Sequence, residues 1–217
     1  MTRPTSPLLA PATAVCAAAC SSTNTGGNQP PIVLQPGGTD GIVALVQSLH
    51  PDQATPDYGY VGASAWTWSG EPGVQRGYLN FDFSAVAPGA QVARATLTLT
   101  GGDSAADSLF GESTLSGDNS ATISRVTSPW DETTVTWNNP PTTTGDGAVV
   151  IGPSLMPDQV LDVDVTAQVR AMLSTGQTYG FAFQLVDEEY YRSMMFAASN
   201  QANAATRPRL TLELSGD

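Results

Sequence analysis

The sequence predicts an all-β protein: an antiparallel, jelly-roll-like β-sandwich with one short helical turn. Three observations carry that expectation. Apolar and polar residues alternate with period two in five separate segments, Gly, Pro and Asn break the chain between them, and a single stretch shows helical spacing. Period-two alternation gives a strand one apolar and one polar face, so each segment asks for a second layer to cover it.

Along the chain, Leu79, Phe81 and Phe83 alternate with Tyr78, Asn80 and Asp82. Ala93, Ala95, Leu97 and Leu99 alternate with Arg94, Thr96, Thr98 and Thr100. Leu161, Val163 and Val165 are spaced by Asp162 and Asp164, and Phe181, Phe183 and Leu185 by Ala182 and Gln184. Leu210, Leu212 and Leu214 close the series. Weaker strands are expected near residues 42–46, 60–63, 122–126, 134–137, 149–151 and 194–197. The helical segment runs through Gln168 to Leu173, capped by Asp164 or Thr166, with Val165 and Val169 inward and Gly176 as the stop. Residues 101–120 and 138–147 read as long loops. No repeat of solenoid or propeller period is visible.

At 217 residues the chain has room for one sizeable domain and a tail. Twenty acidic residues face eight basic ones, all Arg, for a net charge of −12. That composition excludes nucleic acid as a partner, because counterion displacement needs a basic stripe. His50 is the single His, which excludes a multi-His metal site, and in Leu49-His50-Pro51-Asp52 it reads as a loop residue.

Cys16 and Cys20 are the two cysteines, so no disulfide staples the folded part. Arg3, an Ala-rich apolar stretch and Ala17-Ala18-Ala19-Cys20 precede a polar run. The arrangement resembles a bacterial lipoprotein signal, which implies cleavage before Cys20 and lipid on its sulfur. Residues 1–19 are then the signal, 20–38 a flexible Ser/Thr/Gly/Pro tether and 39–217 the sandwich. The expected location is extracellular or at the cell surface, attached to the membrane through lipid only.

Four blocks carry a second resemblance. The first is Arg76-Gly77-Tyr78-Leu79-Asn80-Phe81-Asp82-Phe83-Ser84, followed by Pro88-Gly89-Ala90 and Ala95-Thr96-Leu97-Thr98-Leu99. The most specific is Trp130-Asp131-Glu132-Thr133-Thr134-Val135-Thr136-Trp137-Asn138-Asn139-Pro140. Asp164-Val165-Thr166 with Val169, and Arg207-Pro208-Arg209-Leu210-Thr211-Leu212, complete the order. Together they resemble the bacterial DNRLRE domain family, also classed as carbohydrate-binding module family 96 and related to disaggregatase-type domains. The resemblance spans roughly residues 40–214 and implies a secreted or surface-displayed β-sandwich that binds polysaccharide; characterised relatives bind acidic polysaccharide such as alginate. The hexapeptide that names the family is absent, and the seven Arg after Ala19 are dispersed.

Within that frame Trp130 and Trp137 read as core aromatics, and Asp131 and Glu132 as caps on loop amides. Trp66 and Trp68, in Ala65-Trp66-Thr67-Trp68-Ser69-Gly70, fall between the strand expected to end near Ala63 and one beginning near Val74. Spaced i, i+2, they share a face and suit the C–H face of a pyranose. Tyr190 and Tyr191 are a second aromatic pair; as strand neighbours, one would be buried. Arg76 and Arg207 are expected to pair with acids such as Asp82, Asp164 or Glu213. Asp162 and Asp164 share a strand face at a spacing compatible with glycoside hydrolysis, but any Asp-x-Asp strand has it, and they read as solvated acids. No cofactor is implied. A structural Ca²⁺ stays open, with Asp103, Asp107 and Glu112 as suggestive oxygens and no EF-hand spacing.

The expected function is therefore a non-catalytic module binding polysaccharide or cell-envelope glycan through the loop aromatics Trp66, Trp68, Tyr190 and Tyr191. The alternative is a structural or adhesive cell-envelope sandwich that binds no glycan.

Overall fold

The computed structural model describes residues 29–36, 42–56, 58–101, 112–154, 156 and 159–216. The signal-like segment, Cys20, Asp103 and Asp107 lie outside the described residues. In chain order the elements are β1 (Ile32–Leu34), β2 (Ile42–Gln47), β3 (Tyr60–Trp68), β4 (Glu71–Asn80), β5 (Val92–Thr100), β6 (Ser113–Thr114), β7 (Ala121–Val126), β8 (Thr143–Ile151), β9 (Val160–Asp164), α1 (Thr166–Thr175), β10 (Phe181–Leu185), β11 (Arg192–Ala197), a 3-10 turn (Ala204–Thr206) and β12 (Arg209–Leu214).

The strands form two antiparallel sheets. One has four strands in the order β1-β12-β5-β9; the other has eight, in the order β6-β11-β3-β4-β10-β7-β8 with β2 paired to β4. β4 is the hub of the larger sheet. β2 pairs along residues 75–80, while β3 takes residues 71–76 and β10 residues 77–79. Two glycines permit close strand approach. A Cβ on Gly62 would lie 2.2 Å from the Met194 carbonyl oxygen, and one on Gly180 2.1 Å from that of Leu79.

The core fills the space between the sheets. Leu97, Leu99, Leu210 and Leu212 from the smaller sheet meet Leu79, Ile123, Phe181, Phe183 and Phe196 from the larger. The inward sets are those the alternation predicts, except that Ala93 is exposed and Leu185 packs in a separate small cluster with Ala63, Ala65 and Val74. α1 closes the sandwich with Val169 and Met172, and Val165 just before it. The Asp164 carboxylate accepts the Thr166 N–H at its start, and Gly176 ends it in the left-handed region. Buried Gln168 donates through Nε2 to the Ile123 and Gly147 carbonyls, and Arg170 to those of Val92 and Ala93, so the helix is tied to both sheets.

A second apolar cluster covers the outer face of the larger sheet: Ala44, Val46, Tyr78, Val126 and Val135, with Trp130 and Trp137 packed against it. Both Trp therefore pack as expected, and Trp130 Nε1 donates to the Tyr179 carbonyl at 2.9 Å. The local structure differs from expectation. Residues 134–137 are not a strand, because the Thr134 and Val135 amides both turn back to the Asp131 carbonyl. Residues 143–151, partly assigned to a loop, form β8 despite Gly145 and Gly147. Ile32–Leu34, placed in the tether by its polar surroundings, is β1 and pairs with β12, because three consecutive apolar residues suffice to extend an existing sheet edge.

One local device recurs. Asp82, Asp118, Asp131 and Asp164 each accept hydrogen bonds from the Ser or Thr two residues on, which holds all four carboxyls below the ordinary range. A carboxyl depressed in the folded state stabilises the fold above its unfolded value, about 3.9, and loses that contribution as pH falls through the folded value. Two outcomes follow. Denaturant midpoints should decline as pH drops below about 4, and Asp164→Asn should flatten that decline. Phe183→Ala should cost about 3–5 kcal/mol in urea melts at neutral pH, whereas Ala93→Ser should stay within about 0.5 kcal/mol.

Candidate functional site

Trp66 and Trp68 lie not in a loop but on the rising arm of the β3–β4 hairpin, whose turn is Ser69-Gly70. Both turn residues have positive φ, 54° and 87°, the geometry that matches the twist of the two arms. Trp66 pairs with Gly73 and Trp68 with Glu71. Gly73 leaves room for Trp68: a Cβ there would stand 2.9 Å from the indole and 2.7 Å from Leu49. The two indoles are thus partly buried, spaced along one side of the arm as i, i+2 requires.

Tyr190 and Tyr191 are in the turn before β11, not on a strand, and both are exposed, at 38% and 42%. The expectation that one is buried fails for that reason. Tyr191 sits at φ 71°, a left-handed conformation that costs a non-Gly residue on the order of 1 kcal/mol. Its amide donates to the Ala65 carbonyl at 2.7 Å, and the Tyr191 carbonyl accepts the Ser113 hydroxyl at 2.8 Å. Those bonds hold the ring edge-on to Trp66, with centroids 5.2 Å apart. The structure thus brings Trp66 and Tyr191 together into an aromatic ledge.

Two ion pairs tether the segment between β10 and β11. Arg192 bonds Asp187 at 2.7 Å, and Arg76 grips Glu188 with two bonds of 2.8 and 2.9 Å. The Glu188 hydrogen bond raises the Arg76 pKa above its ordinary value. The same guanidinium lies 4.6 Å from the centre of the Trp137 ring. Arg76 therefore pairs with Glu188 rather than with the acids expected, and Arg207 donates to the Gln201 carbonyl. Asp131 and Glu132 do cap amides, those of Thr133 and Val43.

Beside Arg76 a groove of about 150 Å³ opens on the outer face of the larger sheet. Tyr78, Ala182 and Ser124 form its floor, with Gln184 on one side and Pro140, Pro141 and Thr143 on another. Ala182 pairs directly with Tyr78 on one strand and with Ser124 on the next, so the depression exists because the middle residue is small. Reading the sequence misses this site. Its residues come from four strands and a Pro-Pro turn, and only the outward parity of Tyr78, Ala182 and Gln184 hinted at it.

Asp162 accepts a bond from Thr98 at 2.6 Å and Asp164 caps α1; both are exposed on an edge strand, with no cleft between them. Among the described residues no group of three His, Cys, Asp or Glu side chains is placed to hold a metal ion, and no helix is long and apolar enough to cross a membrane.

A rigid sandwich carrying an aromatic ledge and a shallow polar groove belongs to the class of surface-recognition modules. The model of carbohydrate-binding module family 96 matches residues 52–214, and the chain belongs to that family. Its members are binding modules, in general without catalysis of their own. A search of the curated proteins finds no match.

The Arg76–Glu188 bridge generates a prediction. Both side chains are partly exposed, so Glu188→Gln should lower stability by no more than about 1 kcal/mol. The same change should speed hydrogen exchange at the Tyr190 and Tyr191 amides, with β5 and β12 amides unaffected.

Proposed function

We propose that this chain is a non-catalytic, surface-displayed module that holds a glycan by stacking sugar rings on Tyr190 and Tyr191, with Trp66 and Trp68 supporting and extending the ledge. The observation that carries the reading is Tyr191. An exposed aromatic in a strained backbone conformation, buttressed edge-on by Trp66, is a contact surface whose position is fixed before any ligand arrives. The Thr67 hydroxyl, 3.5 Å from the Tyr191 hydroxyl, adds a polar group at the rim. Family membership supports carbohydrate as the ligand class. Display outside the cell on lipid carried by Cys20 is part of the proposal, supported by the run of small residues ahead of that cysteine.

The test is a glycan array followed by calorimetry on the strongest binder. Tyr191→Ala should weaken binding by about tenfold or more, equivalent to about 1.4 kcal/mol, and leave the thermal midpoint close to the parent's. Trp66→Ala combined with Trp68→Ala should abolish it. An array with no retained glycan, or both variants binding like the parent, would dispose of the reading.

A further inference from the structure

The geometry points to a second binding site, the groove beside Arg76, as a seat for one uncharged sugar ring. This inference rests on the carbohydrate-binding reading but not on the aromatic ledge. Tyr78 is the key residue. Its ring is packed into the outer apolar layer, it lines the groove, and its hydroxyl, which makes no hydrogen bond among the described residues, is not one of the atoms shut away from solvent. Around it, the Ser124 and Thr143 hydroxyls and the Gln184 amide likewise make no side-chain hydrogen bond among the described residues, and all three line the same groove.

These groups define the ligand chemistry. Each hydroxyl both donates and accepts, and the amide does so through its two ends, which matches the hydroxyls of a sugar. The pyrrolidine rings of Pro140 and Pro141 supply an apolar wall for the ring's C–H face. A volume near 150 Å³ has room for one six-membered ring.

Charge separates a neutral sugar from a uronate. Among the described residues Arg76 is the one cation lining the groove, and its Nε and Nη2 are already committed to Glu188. A sugar carboxylate would compete with that bound carboxylate and meet a chain of net charge −12. A neutral ring displaces nothing.

The experiment titrates the full chain with methyl β-glucoside, methyl β-galactoside and methyl α-mannoside, with glucuronate as the charged counterpart, and follows backbone amide shifts. At least one neutral glycoside should move the amides of Tyr78, Ser124 and Gln184, while glucuronate leaves them in place. Ala182→Leu fills the depression from an outward position and should weaken that response about tenfold or more; Tyr78→Phe, which removes only the hydroxyl, should weaken it several-fold. Trp66→Ala should not alter it. Shifts confined to the hairpin, an equal response to glucuronate, or a response that survives Ala182→Leu would each overturn the groove while leaving glycan binding intact. Silence with all four compounds overturns the groove too, and the array then decides separately whether the chain binds carbohydrate at all.

Discussion

Removal of Leu79, Phe181 and Phe183 from water, between the two sheets, decides which side of β4 and β10 faces out. Side chains alternate along a strand, so burying those three turns Tyr78, Arg76, Ala182 and Gln184 to the opposite face. A register slip of one residue would drive Arg76 inward and expel Leu79, which is why the pairing is strongly specified. The outer face is not simply wet. Val46, Val126 and Val135 with Trp130 and Trp137 lay a second apolar layer over part of it. The groove is the strip of that face left uncovered between this layer and Gln184.

The net charge of −12 acts locally more than globally. Asp82, Asp118, Asp131 and Asp164, which begin Asp-x-Ser or Asp-x-Thr turns, satisfy their own local backbone, so four of the twenty acids serve as turn chemistry. Exposed carboxylates also mark edges: Asp162 and Asp164 lie on β9 and Asp146 on β8, and both strands border their sheets. Charge on an edge discourages strand addition by another chain. The cations are divided differently. Arg76 and Arg192 clamp the segment that carries Tyr190 and Tyr191, whereas Arg170 and Arg207 satisfy backbone carbonyls. Among the described residues neither the groove nor the ledge gathers several Arg together, so neither offers a polycationic surface.

Period-two alternation made the core legible in the sequence: Leu97, Leu99, Leu210, Leu212, Phe181 and Phe183 are all where it puts them. Gly176 likewise marked the end of α1. What misled was punctuation read without geometry. Ser69-Gly70 is a two-residue hairpin turn, so a tract full of Gly and Pro continues two paired strands rather than interrupting them. Gly145-Asp146-Gly147 reads as a loop, yet an edge strand tolerates glycine where one side needs no packing partner. Thr134-Val135-Thr136-Trp137 has strand composition, but the Asp131 carbonyl captures two of its amides. At the candidate site the aromatic types were visible, whereas the contact between Trp66 and Tyr191 was not, because 125 residues separate them in the chain. The groove was less visible still, since Ala182 matters for the side chain it lacks.

β4 also explains why ledge and groove are separate surfaces. Trp66 pairs with Gly73, and Arg76 stands three residues further along the same strand. An odd offset places the two on opposite faces, roughly 10 Å apart along the strand. A single small sugar cannot touch both, and a longer glycan would have to pass around the sheet to do so. Glu188 is the physical link between them: it holds the segment bearing the tyrosines and, through the same two hydrogen bonds, fixes the guanidinium that borders the groove. One ion pair thus sets the position of two surfaces that face in different directions, and loosening it would disturb both without opening the core.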